Sequence, residues 1–243
     1  MCMSRQRVHI LYIATGKYIA FWPIFHREAS IRLFPDAEKH YFLFTDSTEY
    51  ESSESVTVVP TEHRPWPRPT LDRFRHMIDS YEQWKDAELA LFINANAVPC
   101  SPFFFHEVFP YVGSLVACVH PCAGRMFSTC SLETRPECCA YTQERTPYVC
   151  GGFQGGKPTA WLEACKVMQE WTETDEKNGI MPVWHDESYW NKYCLMKKKE
   201  VRLLGWPTVY VEPHPWVKIY LIEKASFFRD QNFRKEGQGQ ASL

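Results

Sequence analysis

The chain has 243 residues, 45% hydrophobic and 15% aromatic, with a formal net charge of −2. That length suits one large α/β domain or two small ones, with ample apolar surface for a core. The charge argues against a general nucleic-acid binder, and no apolar run approaches the roughly 20 residues needed to span a bilayer. Met1-Cys2-Met3-Ser4-Arg5-Gln6-Arg7 leads straight into an apolar run without a signal segment, so a soluble, cytoplasmic protein is expected. The ten cysteines form no paired Cys-x-x-Cys knuckles; they are expected to be reduced and to act as small apolar residues. Cys118-Val-His120-Pro-Cys122 is the nearest approach to a metal-ligating cluster.

Val8-His-Ile-Leu-Tyr-Ile-Ala14 reads as a buried strand of a parallel sheet, broken by Thr15-Gly16-Lys17. A helix is expected from about Tyr18, with Phe21, Trp22, Ile24, Phe25, Ala29 and Leu33 near helical spacing and Pro23 in its first turn. Strands follow at His40–Thr45 and Val56–Val59. This order favours an α/β sheet with ligands at the carboxyl ends of the strands, which puts the Thr15–Lys17 turn on the ligand face.

The proline-rich stretch Pro60–Pro69 reads as a stiff extended loop. Leu71–Leu89 reads as a helix with Phe74, Ile78 and Tyr81 on its core face and Arg73 and Arg75 in its first turns. Leu89–Ile93 is a fourth strand, closed by Asn94-Ala95-Asn96-Ala97-Val98-Pro99, and Leu115–His120 a fifth; the aromatic stretch Phe103–Phe109 between them is expected to be buried. Cys122–Pro147 is irregular and polar, and a long loop of this kind usually covers a binding site. Thr159–Asp175 is a helix, ended by Asn178-Gly179. Val201–Glu212 is expected to be one last strand, interrupted at Trp206-Pro207, and the polar, Gly-rich tail 231–243 is expected to be mobile.

Three short stretches can carry chemistry. Val183-Trp184-His185-Asp186-Glu187-Ser188 packs an aromatic, an imidazole and two carboxylates together. The acids also suit the first turn of a helix running through Tyr193. On a helix start adjacent acids point about 100° apart, so they can serve different groups. A carboxylate beside an anomeric carbon can act as nucleophile, base or charge stabiliser, and adjacent acids fit transfer better than hydrolysis across a cleft. Gly151-Gly152-Phe153-Gln154-Gly155-Gly156 is neither a dinucleotide fingerprint nor a P-loop; it is either two tight turns around an aromatic plug or backbone open to a flat sugar ring. Asn94-Ala95-Asn96 has the spacing of a cation-holding acid pair without the charge, or is a plain Asn-rich turn.

Trp184-His185-Asp186-Glu187-Ser188-x-x-Asn191-Lys192-Tyr193 resembles the signature of family 6 of the retaining glycosyltransferases, which holds the histo-blood-group A and B transferases and the α-1,3-galactosyltransferase. Supporting matches follow in register at Ala14 to Tyr18, Phe44-Thr45-Asp46, Leu71 to Met77, Leu115 to Pro121, Glu133-x-Arg135-Pro136, Ala140-Tyr141 and Tyr148 to Gly156. The resemblance covers about residues 7 to 212. It implies one GT-A type α/β domain over 1–230, with a Rossmann-like, mostly parallel sheet flanked by helices. Its nucleotide-binding half would run over about 7–100 and its acceptor and catalytic half over about 101–230. It further implies transfer of N-acetylgalactosamine or galactose from a UDP-sugar to the 3-hydroxyl of a plain or fucosylated β-galactoside, with retention.

Carried over by position, Ile13, Ala14 and Tyr18 would contact uridine, and Arg73 would face the donor diphosphate and sugar. Asp186 would bind the donor sugar and Glu187 would be the catalytic carboxylate. His120, Ser131, Trp184 and Glu187 would line the acceptor pocket. Cys150, Gly151 and Gly152 fall in the segment that selects the donor sugar, and the room at Gly152 favours N-acetylgalactosamine. Asn94 and Asn96 fall on the family's Asp-x-Asp metal site. Bacterial members carry this same change and resemble metal-independent enzymes, so no metal or other cofactor is expected. Arg73 and a basic group among Lys218, Lys224 and Arg229 would then offset the leaving diphosphate. The match is lost over Cys122–Cys130, which leaves the acceptor open. The alternative is a catalytically dead UDP-sugar or glycan-binding protein of the same fold; a hydrolase using Asp186 or Glu187 is more distant.

Overall fold

The computed structural model describes residues 5–121, 131–144, 147–206, 208–211 and 214–230. The chain opens with β1 (Arg7–Ile13), buried at every position after Arg7, as a strand apolar on both faces must be. A 3-10 turn, Gly16–Phe21, leads into α1 (Trp22–Arg32), with Pro23 in its first turn where a missing N–H costs nothing. Then come β2 (Glu38–Thr45) and β3 (Val56–Pro60).

The single helix expected over 71–89 is instead three short pieces, α2 (Arg68–Leu71), α3 (Arg73–Asp79) and α4 (Tyr81–Trp84). It begins inside the proline-rich stretch, because Pro69 sits in a first turn. It breaks at Ser80, whose hydroxyl donates to the His76 carbonyl, and the Trp84 indole donates to the Met77 carbonyl and the Ser80 hydroxyl. Side chains there satisfy carbonyls that a continuous helix would use.

β4 (Leu89–Ile93), β5 (Ala97–Pro99), α5 (Phe105–Val108) and β6 (Leu115–Val119) follow. Phe103 and Phe105 are buried as expected, whereas Phe104 is exposed. The double-glycine run is not two tight turns around an aromatic plug: it is the body of a strand, β7 (Val149–Gly156). Glycine is needed there because neighbouring strands crowd it; a Cβ on Gly155 would stand 2.2 Å from the Ala90 carbonyl oxygen. α6 (Pro158–Lys177) and α7 (Asp186–Met196) come next.

The last strand expected over 201–212 is two strands in different sheets, β8 (Val201–Leu204) and β9 (Val209–Tyr210). β10 (Ile219–Leu221) and α8 (Lys224–Phe228), which sequence periodicity does not reveal, complete the described chain. The tail expected to be mobile, 231–243, lies outside the described residues, as do 122–130 and 145–146 of the expected loop 122–147.

The main sheet runs β3-β2-β1-β4-β7-β6-β8, and a small sheet runs β5-β10-β9. In the main sheet β7 is antiparallel to its neighbours β4 and β6, and the other pairings are parallel. Side chains alternate across it: Val8, Ile10 and Tyr12 enter one apolar layer with Phe21, Trp22 and Phe25, while Leu11 and Ile13 enter the other with Phe74, Trp161 and Trp190. The chain leaves β1 toward β2 and β3, then returns on the other side as β4. That reversal opens a crevice beyond the carboxyl ends of β1 and β4, where ligands bind in open α/β sheets. Among the described residues no helix is long and apolar enough to cross a membrane. The described cysteines are free thiols, and no group of three or more His, Cys, Asp and Glu is placed to hold a metal ion among the described residues.

Candidate active site

A cleft of about 880 Å³ occupies that crevice. Ile13, Thr15, Lys17 and Tyr18 line it from the end of β1, and Asn94, Ala95 and Asn96 from the end of β4. Gly151 and Gly152 of β7, the run Trp184–Glu187, and Leu221–Lys224 close the other sides.

His185 brings the acids to the floor. Its backbone sits at φ 52, ψ −127, sparsely populated for a side-chain-bearing residue, immediately before α7. The Ser188 hydroxyl accepts from the Trp184 N–H (2.9 Å), and the Glu133 carboxylate accepts from the Val183 N–H (2.9 Å), so the approach to the helix is held on both flanks. Burial alone would raise Glu133, but its bonds from Arg135 and the Val183 N–H hold it down to about 2.

The adjacent acids take different partners. Asp186 pairs with Arg73 at 2.5 Å, and both are almost fully buried. Burial pushes the Asp186 carboxyl up to about 6, with Arg73 pulling the other way; burial likewise lowers Arg73. The same guanidinium donates to the Gly151 carbonyl (2.7 Å) and lies 3.8 Å from the Phe92 ring centroid. Glu187 accepts from the Tyr148 hydroxyl and from the Gly151 N–H, both at 2.6 Å. Burial raises Glu187, and these two donors oppose it. Gly151 must be glycine for this contact, since a Cβ there would stand 2.9 Å from Glu187 Cβ. The Asn191 amide bonds Val149 on both its N–H and C=O and also the Glu187 carbonyl, tying α7 to β7.

The asparagines at the end of β4 turn inward. Asn94 Nδ2 donates to Asn96 Oδ1 (2.8 Å), and Asn96 Nδ2 donates to the Ile222 carbonyl (2.8 Å). Tyr18 faces the cleft with Lys224 Nζ 5.1 Å from its ring centroid, and burial pushes its hydroxyl up to about 12.

Ile13, Tyr18, Arg73, Asn94, Asn96, Gly151, Gly152, Trp184, Asp186 and Glu187 therefore converge on one cleft. Ala14 and Cys150 do not reach it; Ala14 lies in the apolar core, and Cys150 is buried in hydrogen-bond contact with Cys118. His120 is not among the residues lining this cleft; it is half-buried, its ring edge-on to Tyr148 at 5.6 Å. Ser131 accepts from the Trp184 indole at 3.3 Å. Of the basic candidates, Lys224 lines the cleft, whereas Lys218 is held by the Pro102 carbonyl and Glu107. Sequence reasoning missed Tyr148, whose only signal is its place just before the glycine run, and His63 and Trp66, which line the cleft from a stretch read as a loop.

An α/β sheet with two adjacent carboxylates and a buried arginine at its switch-point crevice is the arrangement of an enzyme acting on a ligand bound beyond the carboxyl ends of the strands. The chain belongs to glycosyltransferase family 6, whose profile matches residues 4–210. It is 29% identical over 218 residues to the O-antigen biosynthesis glycosyltransferase WbnI of Escherichia coli, across 84% of this chain and 90% of that protein. It is 25% and 24% identical over 227 residues to the histo-blood group ABO system transferases 1 and 2 of Rattus norvegicus. Those matches take in 85% of this chain but 65% and 67% of the rat proteins, so the chain spans about two thirds of their length. The protein is thus a glycosyltransferase of GT-A type architecture, and the family implies a nucleotide-sugar donor and a glycan acceptor. The resemblance carried by Trp184–Tyr193 is borne out at the level of the family.

Proposed function

We propose that this chain is a retaining, metal-independent transferase that moves N-acetylgalactosamine, or galactose, from its UDP-sugar to the 3-hydroxyl of a β-galactoside, forming an α-1,3 linkage. The observation that carries this is Glu187, a partly buried carboxylate at the cleft floor held by the Tyr148 hydroxyl and the Gly151 N–H. A fixed carboxylate facing the anomeric carbon can form a glycosyl ester or stabilise an oxocarbenium-like state, and both roles need it ionised. Asp186, locked to Arg73, is the acceptor for donor-sugar hydroxyls. The absence of a side chain at Gly152, beside Asn94 in the cleft wall, supports N-acetylgalactosamine as donor.

The Asn94-Ala95-Asn96 turn stands where the family's metal-binding acids would be, and its groups do not suit a divalent cation. Both are neutral, and the Asn96 amide is spent on Asn94 and the Ile222 carbonyl. Charge on the leaving diphosphate then falls to side chains. Arg73 is paired with Asp186; Lys224, over the Tyr18 ring, and Lys17, 3.8 Å from Asp230, also line the cleft and share that role. The retained Asp186–Arg73 pair and the two donors on Glu187 speak against a catalytically dead binding protein.

The test is transfer from UDP-N-acetylgalactosamine and UDP-galactose to a fucosylated and a plain β-galactoside, with EDTA or manganese. Turnover indifferent to EDTA, and lost in Glu187→Gln, is expected. Turnover that requires manganese, or survives in Glu187→Gln, overturns the proposal.

A further inference from the structure

The asparagine pair does more than stand in place of two acids. We infer that Asn96 is a positioning residue that clamps the segment Ile222–Lys224 to the cleft floor, and that the clamp requires asparagines at both 94 and 96.

Asn96 and Ile222 exchange two hydrogen bonds: the Ile222 N–H donates to the Asn96 backbone carbonyl, and the Asn96 side-chain amide donates to the Ile222 carbonyl, both at 2.8 Å. Asn94 completes a directional relay by donating its own amide to Asn96 Oδ1. Asn96 must therefore donate and accept through one side chain at once. An ionised aspartate accepts only, so at 96 it would set a carboxylate oxygen against the Ile222 carbonyl, and at 94 it would face the Asn96 oxygen. Asn96 is buried, so water does not replace a lost partner.

The clamped segment leads directly to groups that face the ligand. Glu223 and Lys224 line the cleft, and Glu223 caps α8 by accepting from the Ser226 N–H at 2.7 Å. α8 then docks on the 3-10 turn through aromatics, with Phe227 stacked on Phe21 at 4.3 Å and Phe228 edge-on to Phe21 at 5.1 Å. Beyond β10, which pairs with β5, the C-terminal segment is thus held by a polar contact at Asn96 and an apolar one at Phe21. The polar anchor sets where Lys224 enters the cleft.

Only the identity of the ligand rests on the transferase proposal; the clamp is tested without turnover. UDP binding is measured by calorimetry in EDTA, with hydrogen exchange of residues 219–228, for the full chain and for Asn96→Asp. The variant is expected to bind UDP about 10-fold or more weakly, with faster exchange in 219–228 and little change in β1 and β4. In transfer assays KM for the nucleotide sugar should rise more than kcat falls, whereas a merely structural defect would lower the active fraction and leave KM alone. Unchanged UDP affinity and exchange overturn the clamp. So does manganese raising the UDP affinity of the unaltered chain, which would make the turn a cation site. Should Asn96→Asp fail to fold, Asn94→Ala removes only the relay donor. A weaker shift in the same direction is then expected, and no shift overturns the inference.

Discussion

Replacing Tyr148 by Phe removes one hydroxyl and leaves the ring that packs edge-on against His120. The lost bond runs to Glu187 at 2.6 Å, in a partly buried setting where the carboxyl is already pushed up by desolvation. A hydrogen bond to a charged group is worth about 1.5–3 kcal/mol. If Glu187 acts as the ionised carboxylate, kcat should fall about 10- to 100-fold near neutral pH. The sign of the pH effect follows. The Tyr148 hydroxyl stabilises the charged form, so its loss raises Glu187 further and the acid limb of kcat moves to higher pH. The assay is the pH profile of transfer for both proteins, with UDP affinity as the control, since the hydroxyl bonds the carboxylate rather than the nucleotide segment. Superimposable profiles with unchanged kcat would show that Glu187 is not held for catalysis by this bond.

Gly151→Ala should cost about 100-fold in kcat, the order expected when a reacting group is displaced by about 1 Å, because the new Cβ would stand 2.9 Å from Glu187 Cβ; wild-type kcat in this variant would remove Gly151 from the account. Activity and stability should separate in mild acid. Asp186, pushed up to about 6 by burial against the pull of Arg73, protonates as pH falls through that value, so transfer declines. Its folded value lies above the ordinary 3.8, so its contribution to stability is fully present below about pH 4 and is lost as pH rises through 6. Tm at pH 5 should therefore not fall on account of this pair, and a parallel loss of Tm and activity between pH 7 and 5 would contradict it.

The strands of the nucleotide-binding half were legible because β1 and β4 are short apolar runs bounded by turn residues, which leaves few alternatives. The glycine run was not. A strand half of whose residues are glycine has little periodicity to read, and β7 is a strand because it pairs on both sides, with β4 and with β6. The break at Ser80 and the division of 201–212 between two sheets are likewise tertiary choices; in the second, Thr208 turns back on Gly205 and β9 pairs with a β10 that no pattern announces. Within the site, residue types were readable but pairings were not. Nothing in Asp186-Glu187 says that the first acid meets Arg73, 113 positions earlier, while the second meets Tyr148.

That division of labour has a single hinge. The peptide unit groups of Gly151 touch both carboxylate systems: its N–H donates to Glu187, and its carbonyl accepts from the Arg73 that pairs with Asp186 and from the buried Gln154 amide. A shift of β7 at this residue would disturb both acids together, whereas a change at Tyr148 reaches only Glu187 and a change at Arg73 reaches Asp186 first. The two carboxylates are adjacent in sequence yet separable by mutation. Their common support lies on a strand whose glycines let it sit this close to α7. The double glycine is therefore the backbone against which the two acids are set.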